Sequence, residues 1–350
     1  MTSPSMPIVV NTRVFGGALT GTLRYTRELL ARWNGHAELV SPGRCSRGLS
    51  GHAWEQVVLP QRLQGRLLFS PSNTGPLAVE NQVVTMHDMA VFDCAATFSA
   101  RFEAWYKILL PALAQRVRGI ITVSTFVKER ILAHTDVSPT KITVIPNGVS
   151  PQFTPAAISE LDFAVATLKL PSREYILAVG SADPRKNLNR LFQAWGRAQN
   201  SVSEDIWLLV VGAGNSRVFR DTSFEPFPPR VLLLGHVEDY ILPTLYAGAL
   251  AMAYVSLYEG FGLPILEAMA SGTAVLAGNL SSLPEIVGDA GLLIDPFDVG
   301  AIEQGMRRII EDSEFRSDLQ RRGMTRAKQF SWDEAARRTW DVLQTAAQSN

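Results

Sequence analysis

Glu259-Gly-Phe-Gly-Leu-Pro-Ile-Leu-Glu267 sets two carboxylates eight residues apart around a glycine-rich turn. The apolar run from Ala247 to Leu257 before it has strand-like length and composition, and Pro264 to Ser271 after it reads as a short helix closed by Gly272. Proline in the first turn and glycine just past the last match the asymmetry of helix ends. Gly260 and Gly262 leave the backbone open to close approach, and the helix start offers unpaired N–H groups at the positive end of its dipole. Such a place suits a phosphate or diphosphate. Glu267, one turn into the helix, is suited to accept from ribose hydroxyls, and Glu259 from hydroxyls of whatever the phosphate carries. The chemistry points to a sugar nucleotide.

Outward from this stretch, 350 residues with 46% hydrophobic content suffice for more than one core, so two domains are expected. Lys and Arg number 33 and so do Asp and Glu; that balance, with no basic arm, argues against nucleic acid as a partner. Cys45 and Cys94 lack CxxC spacing and the five histidines are scattered, which suggests a reducing compartment and no metal. The opening Met-Thr-Ser-Pro-Ser-Met-Pro has neither a basic region nor an apolar core, so no secretory signal is expected. No run approaches the ~20 apolar residues of a membrane-spanning helix. A cytoplasmic protein, at most peripheral on the inner face of the plasma membrane, is the expectation.

Short apolar runs alternate with helical patterns: Ile8–Val10 then Thr22–Trp33, Val83–Met86 then Phe102–Val117, Gly119–Val123 then Thr125–His134. The second half continues with Tyr175–Gly180, Leu188–Gln199, Trp207–Val211, Val231–Leu234, Leu242–Ala247 and Ala274–Ala277. This is the signature of βαβ units and parallel sheets, an α/β class. The alternation pauses between Pro146 and Pro171, where turn residues cluster, which places a boundary near 148–172. Two doubly wound domains bind ligands beyond the carboxyl ends of their strands.

The Glu259–Glu267 segment, with Gly-Phe-Gly-Leu-Pro inside it, resembles the E-x7-E signature of retaining glycosyltransferases with the GT-B fold, the family 4 type that includes bacterial mannosyl- and glucosyltransferases. The resemblance implies two Rossmann-like domains facing a central cleft. Residues 1–155 would form the acceptor-side domain, rejoined by a C-terminal helix at about 332–350, and 156–331 the nucleotide-sugar domain. Other pieces resemble the same family. Ile145-Pro-Asn-Gly-Val149 is similar to its interdomain segment, although Pro-Asn-Gly by itself is a turn. Val179-Gly-Ser-Ala-Asp-Pro-Arg-Lys-Asn187 is similar to the loop whose lysine, here Lys186, neutralises the donor diphosphate; Ser181 stands where many members have arginine, and Arg185 lies beside the lysine instead. Val84-Thr-Met-His-Asp88 resembles the element whose histidine, here His87, lies beside the transferred sugar.

Gly16, Gly17, Gly21 and Arg24 belong to a stretch that resembles the family's glycine-rich loop near the acceptor and donor phosphates, with Leu23 where a second glycine is usual. Base recognition is expected around Gly235, His236 and Val237. The donor site would thus comprise Arg185, Lys186, Gly235, His236, Val237, Glu259, Gly260, Phe261, Gly262, Leu263 and Glu267, with His87, Glu259 and Lys186 catalytic. Phe102 to Leu113 with Arg116 and Arg118 is aromatic and basic; it reads either as a core helix kinked at Pro111 or as a membrane-resting face. Ser331 and Glu334 have capping-box spacing at the start of the last helix.

The resemblance implies metal-independent, retaining transfer of a hexose, mannose or rhamnose, to a glycan or lipid-linked glycan in surface polysaccharide synthesis. No cofactor is implied beyond the donor substrate, a GDP-sugar ahead of a UDP-sugar. The chain has no Asp-x-Asp. Two alternatives share the fold signals. One is an inactive sugar-nucleotide-binding module; the other is a dinucleotide-dependent oxidoreductase, for which Gly212-Ala-Gly214 follows a strand but Arg217 stands where the third glycine belongs.

Overall fold

The computed structural model describes residues 8–16, 21–43, 48–212 and 227–348. The chain divides into two compact units. The first lies within Met1–Asp93, Ala100–Gly148 and Ser331–Asn350, and the second comprises Cys94–Ser99 and Val149–Phe330.

The first unit holds a parallel sheet of six strands: β1 Ile8–Asn11, β2 Ala37–Val40, β3 Leu68–Ser70, β4 Gln82–Met86, β5 Gly119–Thr122 and β6 Ile142–Val144. Their order is β2-β1-β3-β4-β5-β6, so the winding reverses between β1 and β3. Strands β1, β3 and β4 are buried along their whole length, as expected of a sheet covered on both faces. The helix Trp332–Gln348 belongs to this unit, where Trp33 Nε1 donates to Ala336 O and Arg338 Nη2 to Val144 O. Ser331 Oγ accepts from the amides of Asp333 and Glu334, capping that helix.

The second unit holds β7 Tyr175–Val179, β8 Trp207–Val211, β9 Val231–Gly235, β10 Ala251–Tyr254, β11 Ala274–Gly278 and β12 Leu292–Ile294, again all parallel. Their order is β12-β11-β10-β7-β8-β9, which places the reversal between β7 and β10. The helices Leu188–Ala198 and Val299–Glu311 pack Trp195, Phe192, Ile302 and Met306 onto one face of this sheet. Both reversals are switch points, beyond whose carboxyl ends doubly wound sheets bind their ligands.

Two differences from the sequence pattern have physical causes. The pause between Pro146 and Pro171 contains a helix, Ile158–Leu168, whose first turn is closed by the Ala157 amide donating to Glu160 Oε2 at 2.8 Å. Only Ala164 of it is buried, while Ile158 and Phe163 are exposed, so no amphipathic period marks it. Strands β2, β3, β6 and β12 are three or four residues long, too short for a pattern to show. The helix Ala100–Arg116 runs through Pro111 and buries Leu109, Leu110, Leu113 and Ala114, as a core helix does. Among the described residues no helix is long and apolar enough to cross a membrane.

Candidate active site

Strand β7 delivers Lys186 on the loop that follows it, and β10, its neighbour across the switch point, delivers Glu259. Lys186 Nζ donates to Glu259 Oε1 at 2.6 Å and to the Tyr254 hydroxyl at 2.9 Å. Burial opposes charge on both partners, pushing the lysine down and the carboxyl up. Their mutual attraction outweighs it, so Lys186 titrates above its ordinary value and Glu259 below. Tyr254 is pushed up, first by burial and then by the Glu259 charge, and stays a neutral phenol. An ammonium has three donors. Two are engaged within the triangle, and among the described residues no hydrogen bond occupies the third.

The loops that hold this triangle are themselves tied down. Asp183 accepts from the Arg185 amide at 2.9 Å and binds its guanidinium through Nε and Nη2. Arg185 therefore shares its charge with a buried carboxylate, and its guanidinium also lies 5.1 Å from the centre of the Phe98 ring. Asn187, in a left-handed conformation, donates from Nδ2 to Val255 O and Pro296 O, anchoring the lysine loop to the end of β10. On the other side, Ser281 Oγ accepts from the Glu259 amide, and Ser282 Oγ donates to the carbonyls of Glu259 and Phe261.

Gly262 caps the helix Leu263–Ala270 at φ 104°, a conformation open to glycine, and a Cβ there would stand 3.0 Å from Leu283 Cδ2. Phe261 is buried, edge-on to Phe330 at 6.0 Å. Glu267 is buried as well, and its Oε2 accepts from the Tyr246 hydroxyl at 2.9 Å. Gly235 ends β9 in a left-handed conformation, where its carbonyl accepts from the Gly212 amide; His236 is exposed and Val237 buried.

In the first unit His87 follows β4 directly. Its amide donates to Asn73 Oδ1 at 2.6 Å, its ring meets Tyr25 edge-on at 4.8 Å, and Nε2 lies 2.7 Å from Pro71 O. A carbonyl can only accept, so Nε2 carries the proton and Nδ1 is left as an acceptor in the neutral ring. Burial lowers the pKa of His87, against smaller opposing effects of Pro71 and Asp88. Gly16 closes the turn Arg13–Gly16, and Gly21 opens the helix Gly21–Arg32, which carries Arg24 in its first turn. Leu23, the departure from the usual glycine, is buried on that helix. Gly17 lies outside the described residues, as do Cys45, Ala213, Gly214 and Arg217.

The sequence reading assigned no role to Tyr254, Asp183, Asn187, Tyr246, Ser281 or Ser282. A tyrosine ending an apolar run looks like core until β10 is set beside β7. Among the described residues no group of histidine, cysteine and carboxylate side chains could hold a metal ion.

Residues 163–326 match the family described as "Glycosyl transferases group 1", and 77–153 the one described as "Glycosyltransferase Family 4". The chain is 33% identical to the O-antigen chain mannosyltransferase B of Escherichia coli, over 75% of this chain and 70% of that protein. It is a GT-B glycosyltransferase of family 4 type. This glycosyltransferase is also 30% identical to the MMP alpha-(1->4)-mannosyltransferase of Mycolicibacterium hassiacum, over 91% of this chain and 78% of that protein. Against the serotype-specific mannosyltransferase WbdA of Escherichia coli it spans only 30% of the relative's length. Its fold superposes with a TM-score of 0.75 on the sucrose-phosphate synthase from Thermosynechococcus elongatus, at 20% identity, covering 98% of this chain and all of the other. Membership in this family removes the oxidoreductase alternative.

Proposed function

We propose that this glycosyltransferase moves a hexose, mannose ahead of rhamnose, from a GDP-sugar to a glycan or lipid-linked glycan in surface polysaccharide synthesis, with retention and without a metal. The Lys186–Tyr254–Glu259 triangle at the β7/β10 switch point carries the reading. It is a pre-positioned cation at the mouth of a sheet, beside a helix start, where a diphosphate is best stabilised. The mannosyltransferase names of two relatives support the choice of sugar.

In this scheme the bond from the anomeric carbon to the diphosphate breaks, and Lys186 meets the charge that grows on the leaving oxygen. Arg185 is the neighbouring cation, moderated by Asp183. The acceptor hydroxyl attacks from the face the diphosphate leaves, and its proton passes to the departing phosphate. Glu259 orients the sugar and Glu267 holds the ribose. The backbone of Gly235, His236 and Val237 faces the base, and neutral His87 accepts from a sugar hydroxyl through Nδ1. Gly16, Gly21 and Arg24 border the acceptor. Ile108, an exposed large apolar residue of the helix Ala100–Arg116, is the point for peripheral membrane contact with a lipid-linked acceptor.

Thermal shift with GDP and UDP, followed by turnover of GDP-mannose and NMR assignment of the product anomer, tests the reading. Stabilisation by UDP alone overturns the donor assignment, and an inverted product overturns retention. Nucleotide binding without transfer from any donor supports the inactive binding module instead.

A further inference from the structure

The first unit contains a second polar site, at its own switch point. Asn11 ends β1, Arg13 follows it, and Thr74 lies on the loop after β3; all three converge on Glu55. Glu55 is fully buried, on a π-helical turn, Trp54–Val58, a distortion frequent at functional sites. Its Oε1 accepts from Asn11 Nδ2 at 2.7 Å, Thr74 Oγ1 at 3.0 Å and Arg13 Nε at 3.3 Å. Its Oε2 has no hydrogen-bond partner among the described residues. His52 Nδ1 stands 3.8 Å away, too far to bond, and it too lacks a partner among them, as does the buried Nε1 of Trp105. The rings close the group: His52 lies edge-on to Trp105 and to Tyr106, each at 5.8 Å.

Native interiors pair nearly all of their buried polar atoms, so three unfilled ones gathered in one cluster at a switch point call for an occupant. We propose that Glu55, His52 and Trp105 form a hydroxyl-binding subsite for the acceptor, which takes an uncharged pyranose and not a phosphate. The inference rests on the glycosyltransferase reading and names its acceptor chemistry. Unfilled carboxylate and imidazole atoms accept from hydroxyls, an indole N–H donates to one, and aromatic rings supply an apolar wall. The charge balance excludes a phosphate. Arg13, the cation of the cluster, is neutralised by Glu55, and His52 stays uncharged because burial, then Arg13, lowers its pKa to about 4. Burial likewise raises the pKa of Tyr106 and keeps it neutral.

The test uses saturation-transfer NMR of methyl α-mannopyranoside on the full chain, with and without GDP, for wild type, Glu55→Gln and Trp105→Phe. Glu55→Gln disturbs the bond to Arg13 as well. Trp105→Phe removes an N–H that has no partner among the described residues, so its melting temperature is recorded beside its binding. Saturable binding by wild type, weakened about tenfold or more in both variants while GDP affinity holds, is the expected result. Absence of mannoside binding by wild type overturns the subsite, and so does unchanged binding by a folded Trp105→Phe. Inorganic phosphate displacing the mannoside overturns the neutral-ligand assignment. Failure of GDP to bind counts against the proposed function alone, because mannoside binding is read without nucleotide too.

Discussion

Lys186 Nζ lies 2.6 Å from Glu259 Oε1, although 73 residues separate them along the chain. The contact exists because β10 inserts beside β7 and brings the two following loops together. Each residue keeps the other charged in a partly buried place. Losing either strands an uncompensated charge, which is costlier than the loss of a hydrogen bond.

Lys186→Ala is therefore expected to lower kcat by about 10²-fold or more, beyond its effect on donor KM, because the diphosphate charge grows as the bond breaks. Arg185→Ala is expected to cost less than about tenfold in kcat/KM, since Asp183 already holds much of that guanidinium's charge. Steady-state kinetics of the two variants decide the ranking. Equal losses would show that Arg185 leaves Asp183 for the donor.

Glu267 serves two partners in this scheme, and two substitutions separate them. Glu267→Ala removes the carboxylate to which the buried Tyr246 hydroxyl donates, at a cost of about 1–3 kcal/mol in stability, and raises donor KM about tenfold or more. Glu267→Gln keeps an acceptor for Tyr246, so its melting temperature should stay near wild type while donor binding still weakens. Unchanged donor KM in both variants would leave the glutamate a purely core role.

His87 is expected to act as a neutral acceptor. Burial lowers its pKa, so it remains uncharged through its ordinary value of 6.5, and kcat should be flat there and fall only at more acid pH. Stability follows the same sign: below 6.5 the unfolded chain takes a proton that the folded histidine refuses, so stability falls as pH drops. His87→Gln should lower kcat about 10²-fold with nucleotide affinity intact, and should remove its share of the acid slope. A rate that needs protonated histidine, rising as pH falls through 6.5, would contradict the assigned tautomer.

Gly148 is a backbone requirement. A Cβ there would lie 2.1 Å from the Trp332 amide nitrogen and 2.5 Å from Ser331 C, and main chain cannot step aside as a flexible side chain can. Gly148→Ala should lower stability by several kcal/mol, on the order of the larger losses from forced overpacking. Chemical denaturation measures it. A loss within experimental error would mean that the start of the last helix moves freely.

The alternation of apolar runs and helical patterns was enough to establish an α/β chain, because a strand or a helix is set largely by neighbouring residues. The Glu259–Glu267 turn and the Asp183–Asn187 loop were legible for the same reason: glycine, proline and charge act on the backbone within a few positions. Strand order was not legible, nor were the short strands at β2, β3, β6 and β12, since their pairing depends on segments far away in the chain. Tyr254 completes the lysine–glutamate triangle only because β10 lies beside β7. Glu55 gathers Asn11, Arg13 and Thr74 only because β1 lies beside β3. A side chain carries its chemistry in its own identity, but its partner is chosen by long-range packing, and that choice exists only in the folded sheet.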